Sequence, residues 1–155
     1  MTTLAPSRVV HLDPVDHGLV TPAAGPRGSR DLDAMLERAR AAESDGAEIV
    51  VVTPSAAQDA PARHHWPATA QALAVLLATT SVRVAVDVTT AAWDPAAIAR
   101  FAASATGLAG DRLILQVAGD GAEAFAGAVT ARWDGPVVVG DGDHDDHDDH
   151  HGAPD

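Results

Sequence analysis

The chain has 155 residues, enough for one domain with a real core and short for two. It has no cysteine and its ten basic residues are all arginine. Disulfides, thiolate metal sites, a cysteine nucleophile, a P-loop lysine and a Schiff-base lysine are thereby excluded. A formal charge of −12 argues against nucleic acid.

No apolar run approaches the ~20 residues that cross a bilayer. The opening "MTTLAPSRVV" lacks a basic segment followed by an apolar one, so cytoplasmic residence is the default expectation. The apolar residues are mainly Ala and Val, with two Phe, three Trp and no Tyr, which implies a closely packed core of small aliphatic side chains. Seven acids, Asp141, Asp143, Asp145, Asp146, Asp148, Asp149 and Asp155, lie beyond Gly140. Without them the formal charge is only about −5, ordinary for a soluble domain.

In chain order, "RVVHL" (8–12) predicts a strand, followed by a long Pro- and Gly-rich loop. From Asp31, Leu32, Met35, Leu36, Ala39 and Ala42 recur at helical spacing, with acids in the first turn and Gly46 as the stop. "EIVVVTP" (48–54) is a β-branched run suited to a strand covered on both faces. After a loop containing His64, His65 and Trp66, Pro67 opens a second helix with Leu73, Leu76 and Leu77 on its apolar face. "VRVAVDVTT" (82–90) predicts the third strand, on which Arg83 and Asp87 share a face and are expected to pair. Asp94 and Pro95 then open a helix with Ile98, Phe101, Ala102 and Ala105 inward, which Gly107 or Gly110 can end. "RLILQVAGD" (112–120) is the fourth strand. Asp120 and Glu123 sit three apart, as in a capping box, before Phe125 and Val129. "GPVVVG" (135–140) is the fifth strand.

Strict alternation with short connections implies α/β structure with parallel strands and right-handed crossovers. Two architectures satisfy it: an open doubly wound sheet of flavodoxin type, or a partial (β/α) barrel of about five strands and four helices. A full barrel has eight strands over about 250 residues, so this chain is not expected to close one alone. In both architectures the strand C-terminal ends carry the ligand loops, gathering Thr53, Thr89, Thr90, Gly119 and Asp120 on one rim.

"WPATAQALAVLLATTSVRVAVDVTT", "DPAAIARFAASATGLAGDRLILQVAGD" and the earlier "LERARAAESDGAEIVVV" resemble, in order and spacing, the bacterial luciferase-like flavin-dependent monooxygenases, especially their nitrilotriacetate-monooxygenase-like branch. The resemblance runs from about Asp31 to Asp120. It implies a TIM barrel that binds reduced FMN, or a deazaflavin, for oxygenation or hydride transfer, and a protein that places and shields the cofactor. Carried over by position, Thr89 and Thr90 match the family's Thr-Thr near the flavin, Gln116 matches an Asn, and Gly119 and Asp120 match a Thr-Ser pair. His17 matches a His after the first strand. The sequence departs from the family at Thr53-Pro54, where an acid is common, and at Thr106-Gly107, where the family has Asp-His. The second half of the barrel, source of much of the phosphate cradle, has no counterpart here.

The cofactor-binding candidates are therefore Thr53, Thr89, Thr90, Gln116, Gly119 and Asp120; no catalytic residue is assigned. The residues alone also allow Thr89 and Thr90 to be two β-formers ending a strand, and favour Asp120 as a helix cap. The domain is expected to span 1–140 and an Asp/His-rich disordered tail 141–155. In that tail His144, His147, His150 and His151, with carboxylates between them, can chelate zinc, nickel or copper. Two functions are expected: a flavin-dependent monooxygenase homologue with reduced or lost activity, or a non-catalytic accessory module that uses the tail for metal. An unfinished barrel exposes strand edges, which implies a homo-oligomer or a barrel-completing partner; a small-molecule substrate is expected if the protein is an enzyme.

Overall fold

Valine-rich strands too short to stand alone dictate the architecture, because each must bury its faces between neighbours and helices. In a computed structural model of the chain, the residues described are 8–12, 27–53 and 67–140. The strands are β1 (Val9–Leu12), β2 (Ile49–Val52), β3 (Arg83–Thr89), β4 (Leu113–Ala118) and β5 (Val137–Val139). Between them lie α1 (Arg27–Ser44), α2 (Ala68–Ala78), α3 (Pro95–Ala109) and α4 (Ala122–Thr130). All adjacent strands are parallel and their order is β1-β2-β3-β4-β5.

Sequential order decides between the two architectures. A flavodoxin-type sheet reverses direction at β1 and distributes helices on both faces. Here every crossover moves one strand in the same direction, so right-handed connections stack all four helices on one face. The result is a five-stranded partial barrel. Val50, Val52, Val84, Val86, Val88, Leu113, Leu115 and Val117 point into the main core with α1 to α4. The opposite, inner face carries a small apolar cluster of Val51, Ala85 and Ile114.

Local chemistry explains the boundaries. Gly46 and Gly110 adopt φ of 86° and 83°, the left-handed geometry that ends α1 and α3. Pro95 occupies the first turn of α3, as expected, but Asp94 makes no side-chain cap bond. α1 begins at Arg27, four residues before the predicted Asp31, so its first turn contains no acid. On α2 the buried side chains are Thr69, Gln71, Ala72, Val75 and Leu76. Leu77, one residue and about 100° further round, is 59% exposed and does not share the apolar face expected of it.

Two polar clamps fasten the helix ends to the strand starts. The Arg112 guanidinium donates to the carbonyls of Leu76, Thr79, Val82 and Ala109 and to the Thr79 hydroxyl, closing the last turns of α2 and α3 over the start of β4. The Glu43 carboxylate at the end of α1 accepts from the backbone N–H groups of Thr80, Ser81 and Val82 at 2.8–3.2 Å. Burial alone would raise the Glu43 pKa; the N–H donors of Ser81, Val82 and Thr80 outweigh it and draw the value from 4.5 down to about 2. A depressed carboxylate stabilises the fold above its unfolded pKa and ceases to do so as pH falls through its folded one. Glu43→Gln is therefore expected to cost about 1–2 kcal/mol at pH 7, a value discounted for the carboxylate's partial exposure. In urea titrations the difference from wild type should shrink between pH 4.5 and about 2.

Candidate functional site

The strand C-terminal ends form a mouth whose best-defined part lies between β3 and β4. In-register pairing sets Thr89 beside Ala118 and Asp87 beside Gln116. The Thr90 N–H then donates to the Ala118 carbonyl at 3.0 Å, carrying the pairing one residue past β3. Thr89, Thr90, Ala91, Gly119 and Asp120 line one open cleft of about 530 Å³.

Gly119 is required there for two reasons. Its φ of 114° is a backbone geometry that side chains rarely adopt, and a Cβ would lie 2.6 Å from the Thr90 hydroxyl oxygen. Gly121 follows at φ 69°, so the Gly-Asp-Gly stretch is a turn with Asp120 at its tip. The expected capping role of Asp120 is not observed. α4 starts at Ala122 with Gly121 as N-cap and no side-chain cap bond, because the turn places Asp120 one residue too early and directs it to the cleft.

Four of the six cofactor-binding candidates, Thr89, Thr90, Gly119 and Asp120, thus share one cleft. Gln116 lies one layer deeper on the inner face, half-buried beside Asp87. Thr53 follows Val52 at the C-terminal end of β2, on the same rim but outside the cleft lining. His17, His64, His65, Trp66 and the metal candidates His144, His147, His150 and His151 lie outside the described residues. Among the described residues no group of three or more His, Asp or Glu is placed to hold a metal ion.

Asp87 is the inner-face residue whose expected partner the structure does not supply. It does not pair with Arg83, because four residues along a strand separate them by about 13 Å. Its electrostatic partner is His11 of β1. Burial raises the Asp87 pKa above 3.8, and the His11 charge partly opposes that. A lone acid on the inner face of a Val-rich strand was the available signal. Thr106, at one of the departures from the family pattern, accepts a hydrogen bond from the Trp133 indole at 3.3 Å and so has a packing role.

A larger cavity of about 710 Å³ lies at the other end of the sheet, among Arg83, Thr106, Asp111, Leu113, Arg132 and Trp133. These flank the strand N-termini, where barrels keep stability rather than ligands. The smaller mouth is therefore the candidate site.

Two outcomes follow from this geometry. Gly119→Ala should force Thr90 aside and lower the melting temperature, whereas Ala118→Gly should not displace that hydroxyl; crystal structures of both variants would check this. An acid whose folded pKa is raised stabilises below its unfolded value and destabilises as pH climbs through the folded one. Asp87→Asn is thus expected to raise the melting temperature at pH 7, with the gain disappearing below pH 3.8 in the same thermal scan.

The family model for luciferase-like monooxygenases matches residues 8–147. Among solved structures, the oxygenating constituent of 3,6-diketocamphane monooxygenase from Pseudomonas putida, in complex with FMN, is similar at 20% identity. The match covers 76% of this chain and 30% of that one, with a TM-score of 0.55. EDTA monooxygenase from Chelativorans sp. BNC1 is similar at 16% identity, over 84% of this chain and 32% of that one, with a TM-score of 0.52. A monooxygenase from Streptomyces bottropensis matches at 19% identity, over 82% and 40%, also with a TM-score of 0.52. No curated protein sequence matches the chain significantly. The chain spans 30–40% of the length of these structures, and at such identities the likeness establishes the fold. With a family model running from β1 past β5, the chain belongs to the luciferase-like monooxygenase family.

Proposed function

We propose that the mouth between β3 and β4 binds the ring of FMN, or of a deazaflavin, and that the protein serves flavin-dependent oxidation of a small organic molecule. The observation that carries this is the convergence of Thr89, Thr90, Gly119 and Asp120 on one cleft at the strand C-terminal ends, in a chain of this family. The described residues suit a flat ring: two hydroxyls at the rim, an amide and a carboxyl below, and an apolar layer of Val51, Ala85 and Ile114 beneath. They do not suit a phosphate, since the lining contains no arginine and Asp120 would repel it.

When bound, reduced flavin supplies the electrons for oxygen activation, and the residues here bind, orient and shield it. Among the described residues β1 and β5 are the sheet edges, with Val9 44% and Val138 50% exposed on the inner face. That pattern favours completion of the barrel by a second copy or another partner, with activity low until completion. Placement in the nitrilotriacetate-monooxygenase-like branch, and in the cytoplasm, belongs to the same proposal. No helix among the described residues is long and apolar enough to cross a membrane. The alternative reading, an accessory module that takes zinc, nickel or copper at His144, His147, His150 and His151, rests on residues outside the described ones.

Fluorescence titration tests the proposal. Riboflavin and FMN should quench with affinities within about threefold of each other, because the phosphate gains little here. Thr89→Val with Thr90→Val should weaken both about tenfold, the loss of one or two hydrogen bonds. Deleting residues beyond Gly140 should leave both unchanged. Unquenched flavin at millimolar protein would overturn it.

A further inference from the structure

The inner face of the sheet holds two polar side chains, one strand apart, that make no hydrogen bond to another described residue. Asp87 of β3 and Gln116 of β4 are register partners, so their Cα atoms stand about 5 Å apart and both side chains leave the sheet on the same side. They form a layer directly below Thr89 and directly above the apolar layer of Ala85 and Ile114. Both are half-buried, and among the described residues neither takes part in a hydrogen bond or ion pair. Their polar atoms are not among the buried ones, so a ligand entering from the mouth can reach them.

We propose that Asp87, side by side with Gln116, is a further ligand-contacting residue that reads the lactam edge of a planar heterocycle, a ring N–H flanked by a carbonyl. This rests on the flavin proposal and specifies it, since the flavin pyrimidine ring presents such an edge. An ionised carboxylate only accepts hydrogen bonds, so Asp87 takes the ring N–H; the Gln116 amide donates to the neighbouring carbonyl. The N–H to carboxylate bond is charge-assisted, which makes it the stronger of the two. His11 on β1 supports the ionised state of Asp87 from across β2.

The ionisable groups facing this layer are few. Among the described residues they are His11 of β1, Arg83 of β3, about 13 Å away along the strand, and Asp120, which lines the cleft above. β2 contributes Ile49 and Val51, β4 contributes Ile114 and Ala118 besides Gln116, and β5 contributes Val138. Affinity for the ring is therefore expected to fall on acidification as Asp87 takes up a proton, and burial moves that fall upward from the ordinary carboxylate range.

The test compares riboflavin with 3-methylriboflavin, in which methylation removes the ring N–H, by fluorescence quenching with the full chain. Wild type should prefer riboflavin at least tenfold at pH 7. Asp87→Asn should lose both that preference and the fall in affinity on acidification. Gln116→Leu should bind both ligands more weakly yet keep the preference. Melting curves establish that each variant is folded. Equal discrimination by wild type and Asp87→Asn would remove Asp87 from the site, while the Thr89 and Thr90 variants would still report on the cleft. Absence of quenching by either ligand in wild type would overturn the flavin proposal and this one together.

Discussion

Parallel pairing in unbroken sequential order is the constraint on which the rest of this molecule depends. Each right-handed crossover steps to the next strand on the same side, so α1 to α4 all stack on one face. That face becomes the core, filled by valines and leucines that alternate with inner-face residues along each strand. The other face is left free to carry chemistry. Had one crossover reversed direction, helices would cover both faces and Asp87, Gln116 and Thr89 would be buried in packing.

The division of labour between the two sheet ends follows from the same geometry. At the N-terminal ends, Arg112 and Glu43 join helix termini to strand starts through carbonyls and N–H groups that would otherwise lack partners. Trp133 adds apolar closure, with its indole held by Thr106. At the C-terminal ends, the turns after β3 and β4 contain positive-φ glycines, half-buried hydroxyls and a helix start without a side-chain cap. Stability is concentrated at one end and openness at the other, the usual distribution in barrels.

Asp87 shows the tension between these demands within a single residue. A half-buried carboxyl with a raised pKa lowers the stability of the ligand-free fold. An apolar residue would pack on the inner face at less cost, as Ala85 and Val51 do beside it. Polar groups kept in such a position, in the layer just beneath an open cleft, are what a site for a planar polar ligand requires.

Element order, the parallel character of the sheet and most of the core were legible in the sequence, because periodicity and helix stops are local. Met35, Ala39, Ile98, Ala102 and Val129 were marked by spacing alone and are buried. The start of α1 was missed because Arg27 to Arg30 lack apolar spacing, and the Asp120 cap was misassigned because a capping box reads the same whether or not the turn delivers the side chain. Strand–helix alternation located the Thr89–Thr90 rim, and resemblance to the family added the expectation of a flavin there. The residues carried over by that resemblance do not include Asp87.

The sequence by itself determined which segments become strands and helices, since these depend on the 2.0 and 3.6 residue periods of side chains along one stretch of backbone. Only the tertiary structure decided the strand order, which face stays free, and which residues become neighbours. Pairing across roughly 30 residues set Asp87 beside Gln116 and near His11 rather than Arg83. Such proximities arise from register between strands, a relation that no single segment contains.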